Sequence, residues 1–142
     1  MLQKTVLSVL AVCLVAGAFL LGNSIGEEKK MTRVYELRTY TTLEGRLPAL
    51  EKRFKDHTVK LFEKHGIQNH MYWIPTDPKL KDNTLIYVLS HDSAEAAKKS
   101  WAAFQSDPDW KSVRDASEAD GKIISGVQSV YMELVDWSPV KQ

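Results

Sequence analysis

The chain has almost no cysteine. Cys13 is the only one among 142 residues, and it lies inside an apolar run near the amino terminus, so the remainder has no thiol for a disulfide or a thiolate metal site. No block of like charge stands out either. Lysine and arginine number 19 against 18 acids, and without a basic stripe there is no electrostatic reason to expect a nucleic-acid partner. No glycine-rich phosphate loop, nucleophile elbow or zinc signature occurs. The histidines His57, His65, His70 and His91 include no pair at the i, i+4 spacing that clasps zinc. Neither a cofactor nor a metal is therefore expected.

What is present is an ordinary globular composition, 44% hydrophobic and 26% charged, in a length that suits one domain. The first 26 residues stand apart. Lys4 is their only charge before the nearly unbroken apolar stretch Val6 to Leu21, the outline of an export signal. Ser24 and Gly26 are small residues suited to cleavage before Glu27, and an uncleaved membrane anchor over residues 5–22 is the competing reading. Removal takes away only one basic side chain, so a neutral domain exported to the periplasm or medium is expected. Residues 27–31 read as a charged tether, and 32–139 as the folded domain.

In that domain Thr32 to Thr41, TRVYELRTYT, is the clearest strand, with a period of two. Tyr35, Leu37 and Thr39 share one side, expected to meet helices. Val34, Glu36, Arg38 and Tyr40 share the other, expected to face something more polar. A helix is predicted from Leu47 to Gly66, with Pro48 in its first turn and glycine as its stop. Ile67 to Pro75 reads as a second strand, and Thr84 to His91, the most apolar, as a third in the middle of the sheet. Asp92 with Glu95 in capping-box register predicts the next helix, and Asp107–Pro108 opens another. In these helices the spacing of Trp101, Phe104 and Trp110 reads as core. Ile124 to Trp137 returns to strand character. The order is that of a split ferredoxin-like α+β fold, βαββαβ, with a four-stranded antiparallel sheet and helices on one face. The other face needs cover.

The segments VYELRTY (34–40), HTVKLFEKHG (57–66), SWAAFQSDPDW (100–110) and SEADG (117–121) closely resemble the NIPSNAP family, over about 33–139. That resemblance implies a dimeric α/β barrel, in which two ferredoxin-like domains pack their uncovered sheet faces around a central cavity, so the expected partner is a second copy of the chain. Animal members of that family carry two such domains after a mitochondrial targeting segment, whereas this chain has one. The resemblance transfers no catalytic residues.

If Glu36, Arg38 and Tyr40 point into such a cavity, Tyr131 and Glu133 join them from the last strand by alternation. Arginine offers a planar fork, and tyrosine both donates and accepts, a combination that suits an acidic or hydroxylated ligand. The structural alternative is that Arg38 merely pairs with Glu36 or Glu133, as buried charges must pair in any case. Asn69 and His70 are further candidates, for proton transfer or polar binding. Two functions follow: a homodimeric binder of a small molecule, or scaffold, and a cofactor-independent oxygenase or isomerase by analogy with other dimeric α/β barrels.

Overall fold

The computed structural model describes residues 32–140. The export signal or anchor, the tether and Cys13 lie outside the described residues. Among those described, no helix is long and apolar enough to cross a membrane.

The elements follow in the expected order: β1 (Val34–Thr42), α1 (Leu47–Arg53), a π-helical segment (Phe54–Thr58), α2 (Val59–Lys64), β2 (Gln68–Trp73), β3 (Thr84–His91), α3 (Ala94–Ser106), α4 (Pro108–Ser117) and β4 (Ile124–Glu133). The strands form one antiparallel sheet in the order β2-β3-β1-β4. β3 is central, as its apolar character required. The helices cover one face, with Leu50, Phe54, Phe62, Tyr87, Leu89 and Phe104 forming the core between the layers.

The first helix is interrupted by a wider π turn, for which its sequence gives a reason. Leu50, Phe54, Thr58 and Phe62 are all buried and stand four residues apart, more than the 3.6 residues of an α-helical turn. One wide turn absorbs the drift and keeps all four on the sheet side. The Val59 amide then donates to the Phe54 carbonyl. Gly66 ends the run at φ +72°, while the amides of Gly66 and Ile67 bond back to Glu63 and Phe62. A Cβ there would meet only Ser100 Oγ, at 3.7 Å, so Gly66→Ala is expected to cost about 1–2 kcal/mol through the left-handed backbone alone, read as a lower urea midpoint at unchanged slope. The second helical pair also carries its own caps. Ser93, rather than Asp92, accepts from the Ala96 amide, and Asp107 accepts from Asp109 ahead of Pro108.

One expectation is reversed. Glu36, Arg38 and Tyr40 lie on the helix-covered side of β1, not on the open side. Glu36 is 1% exposed and accepts from Trp101 of α3; Arg38 stacks on that indole with its guanidinium carbon 4.3 Å from the ring centroid; Tyr40 packs edge-on to Phe54 and Tyr87. Tyr35, Leu37 and Thr39 therefore face outward. The physical reason is that the covered face of β3 and α3 supplies His91, Tyr87 and Trp101, whose polar tips satisfy the charges, while the outward set has no helix to meet.

Candidate functional site

Two groups of polar residues take up most of the candidates, one on each side of the sheet. The inner group is centred on Glu36. Its Oε1 accepts from Arg38 Nη1 and from Ser129 Oγ at 2.6 Å, and its Oε2 from Trp101 Nε1 at 2.7 Å and His91 Nε2 at 3.1 Å. Burial pushes the Glu36 carboxyl up, but hydrogen bonds from His91 and Ser129, the Arg38 charge and the Trp101 donor outweigh it and hold it at about 2. Arg38 uses its remaining donors on Tyr87 (3.0 Å) and Tyr40 (3.3 Å). Burial opposes its charge, yet the tyrosine oxygens and Glu36 raise its pKa. This ion pair is thus fully occupied. A carboxylate so low and so well supplied with donors is a poor proton acceptor near neutrality.

His91 is the exception within the group. It is fully buried, and because the carboxylate can only accept, its Nε2 carries the proton toward Glu36, leaving Nδ1 without a partner. The rings of Trp101 and Tyr131 lie 6.3 Å away on two sides. Tyr131 sits opposite Glu36 on the edge strand β4 and is 51% exposed. Its phenol is pushed up by partial burial and by Glu36.

The outer group lies where the carboxy-terminal tail passes over the open face. Leu134, Ser138 and Val140 wall a pocket of about 510 Å³ against Tyr35, Val88 and Met71, with Arg33 and His70 supplying its polar side. This volume falls in the range of small-molecule sites. His70 Nε2 stands 2.7 Å from Ser90 Oγ, and its ring tilts against Tyr35 with centroids 5.5 Å apart. Arg33 reaches Gln68 at 2.6 Å and Asp92 at 3.2 Å. Partial burial and the Arg33 cation push the His70 pKa down, which favours the neutral imidazole.

The structure thus divides the sequence-predicted residues. Glu36, Arg38, Tyr40 and Tyr131 come together on the inner side. Asn69 is also inner but distant, spent on the Val59 carbonyl and on the Tyr72 hydroxyl, which donates to it. His70 is outer, turned there by the β-bulge between Asn69 and Met71. Glu133 ends β4, exposed, paired in register with Val34. Residues not anticipated are Arg33 and Tyr35 in the outer pocket, and His91, Trp101 and Ser129 around Glu36. Trp101 had a partial signal: a buried indole N–H needs an acceptor, but nothing in the sequence names Glu36 as that acceptor while Glu36 is assigned to the other face. Among the described residues, no three His, Cys, Asp or Glu side chains converge as metal ligands would.

Comparison with known proteins adds the following. The NIPSNAP family model matches residues 35–139. A NIPSNAP family protein from Agrobacterium tumefaciens has a similar structure, at 22% identity and TM-score 0.66 over 78% of this chain and 96% of that one. A NIPSNAP-like domain protein from Burkholderia xenovorans matches at 13% identity and TM-score 0.66, over 78% and 91%. SnoaB, a cofactor-independent oxygenase from Streptomyces nogalater, matches at 16% identity and TM-score 0.55, over 77% and 99%. These likenesses establish a shared fold. No curated protein sequence matches the chain.

Proposed function

The chain belongs to the NIPSNAP family, and from that premise we propose that it is a homodimeric small-molecule-binding domain whose second copy covers the open face of the sheet. The observation that carries this reading is the character of that face. Leu37, Ile86 and Val88 are half-buried in its middle, while Met71 (57% exposed), Trp73 (44%), Val130 (54%) and Met132 (37%) lie around them. A contiguous apolar sheet face of this kind is normally covered. The tail-walled pocket opens on the same side. A second copy encloses it, leaving a neutral histidine, a phenol and a guanidinium around an apolar floor. That combination suits a weakly acidic or hydroxylated apolar molecule.

Native mass spectrometry of the protein purified from its own host tests both parts. Two chains carrying an additional small mass are expected, and His70→Ala is expected to lose the mass while keeping the two chains. Single chains, or dimers without any added mass, would reject the respective part. We place the domain outside the cytoplasm on the pattern of residues 1–26, released or held by residues 5–22. Mass determination of the mature amino terminus decides between the two.

A second reading, cofactor-independent oxygenase, is favoured by His91. In it the free Nδ1 is the general base, Glu36 holds the ring, and the substrate enters at the β4 edge as Tyr131 swings out. Oxygen uptake with phenolic substrates, without added metal or flavin, and its loss in His91→Ala, is the expected result. No uptake by the unmodified protein would dismiss it.

A further inference from the structure

Two arginines lie beneath the helices, Arg38 half-buried and Arg53 buried, and they differ in their partners. Arg38 has a close carboxylate and an oxygen partner for each nitrogen. Arg53, only 3% exposed, has neither. Its Nη1 reaches Ser117 Oγ at 3.2 Å and the Glu118 carboxylate only at 3.4 Å, well beyond the 2.7–2.9 Å of a strong charge-assisted bond. Its Nε is buried with no partner. The Trp110 ring lies 5.3 Å from the guanidinium carbon, a weak substitute for a counter-ion. Glu118 is itself shared, since its Oε1 also takes the Ile123 amide at 3.4 Å. Burial accordingly lowers the Arg53 pKa, and Glu118 makes up only part of the difference.

This undersatisfied cation lines a groove of about 460 Å³ between the first helix and α4. The apolar part of the lining is Ala49 on one side and Val113 and Ala116 on the other, with Ser112 and Ser117 beside them on α4. Lys52, Asp56 and His57 complete the near wall. Asp56 is engaged by Lys52 at 2.5 Å, which leaves the groove with one acid already neutralised and a buried guanidinium that lacks a close anion. The wide π turn, Phe54–Thr58, begins immediately after Arg53. It brings Asp56 and His57 to the same groove as Lys52 and Arg53.

We propose that this groove binds a small amphipathic carboxylate, its charged end on Arg53 and its hydrocarbon part along Ala49, Val113 and Ala116. The volume fits a ligand of that size. A carboxylate supplies the planar pair of acceptors that a guanidinium matches, and the apolar walls gain by excluding water from a hydrocarbon chain. The site is independent of the dimer and of the outer pocket. It lies in the helical layer on the opposite side of the sheet, so it stays accessible whether or not a second copy covers the other face.

Octanoate and 1-octanol, equal in chain length and differing in charge, are the probes, with binding to the intact protein followed by calorimetry. Octanoate is expected to bind at least tenfold more tightly than the alcohol. Arg53→Met, which keeps the apolar stem and removes the charge, is expected to erase that preference. Ala116→Trp, a change at an exposed position, fills the groove with Arg53 in place and is expected to weaken octanoate at least tenfold; it serves even if the Arg53 variant does not fold. Equal binding of acid and alcohol, no octanoate binding at millimolar concentration, or undiminished binding to the Ala116→Trp protein would each overturn the assignment. Since none of these measurements depends on subunit number or on His70, their failure leaves the proposed dimer and its ligand untouched.

Discussion

Replacing Glu36 with alanine is expected to lower folding stability by about 3–5 kcal/mol, the range observed when one partner of a buried ion pair is removed. The alanine leaves the Arg38 cation inside the protein without its carboxylate, and it strips Trp101, His91 and Ser129 of the acceptor they share. For a domain whose total stability is of the order of 5–15 kcal/mol, that is close to unfolding. The same carboxyl makes stability depend on acid. Its folded pKa of about 2 lies below the ordinary value of 4.5, a difference corresponding to roughly 3 kcal/mol. Because the folded value is the lower one, the contribution is complete above pH 4.5, declines as the pH falls toward 2, and is absent below that. Urea unfolding of the wild type is expected to show this loss. In Glu36→Gln, already less stable near neutrality, the same interval should be nearly flat except for groups such as Asp107, whose carboxyl Lys64 and His65 also hold low.

Val130→Glu is expected to convert the proposed dimer to single chains, raising its dissociation constant about a thousandfold. Val130 pairs with Leu37 on the outward face and is 54% exposed in one chain, so the change has little effect on the subunit alone, within about 0.5 kcal/mol. Across a two-fold interface it places two carboxylates in an apolar layer, at several kcal/mol each, and about 4 kcal/mol suffices for the thousandfold effect. Val127→Glu is the control. It lies on the same strand at 46% exposure but opposite Tyr40, on the other side of the sheet, and is expected to leave the dimer intact. Light scattering behind size-exclusion chromatography reads both. If both variants dissociate, or neither does, the outward face is not the interface.

Much of the fold was legible because it rests on local signals. The alternation in β1, the Asp107–Pro108 start, Gly66 as a stop and the apolar run of β3 each have a short-range cause, and each stands where it was expected. The helix pattern of Trp101, Phe104 and Trp110 also held, with Phe104 buried and the two tryptophans packed against the core. Which face of β1 turns inward was not legible. Period two divides a strand into two sets, and assigning the more apolar set to the core is ordinarily sound. Here the set carrying Glu36 and Arg38 is the covered one, because its partners lie far away in sequence: Tyr87 and His91 on β3, Trp101 on α3 and Ser129 on β4. No local pattern reports a network that closes only when four elements meet. The division of the candidate site follows from the same error. Once β1 is inverted, Tyr35 and Arg33 pass to the open face and join His70, while Glu36 and Arg38 become the pillar between the layers. The π turn was likewise hidden, although the repeated spacing of four from Leu50 to Phe62 is its trace in the sequence.

The central claim is that the charged side of β1 is sealed under the helices and its apolar side meets a second copy. Sedimentation equilibrium of the chain lacking residues 1–26, at micromolar concentration, tests it most directly. Twice the chain mass is the predicted result, and the mass of one chain throughout would contradict it.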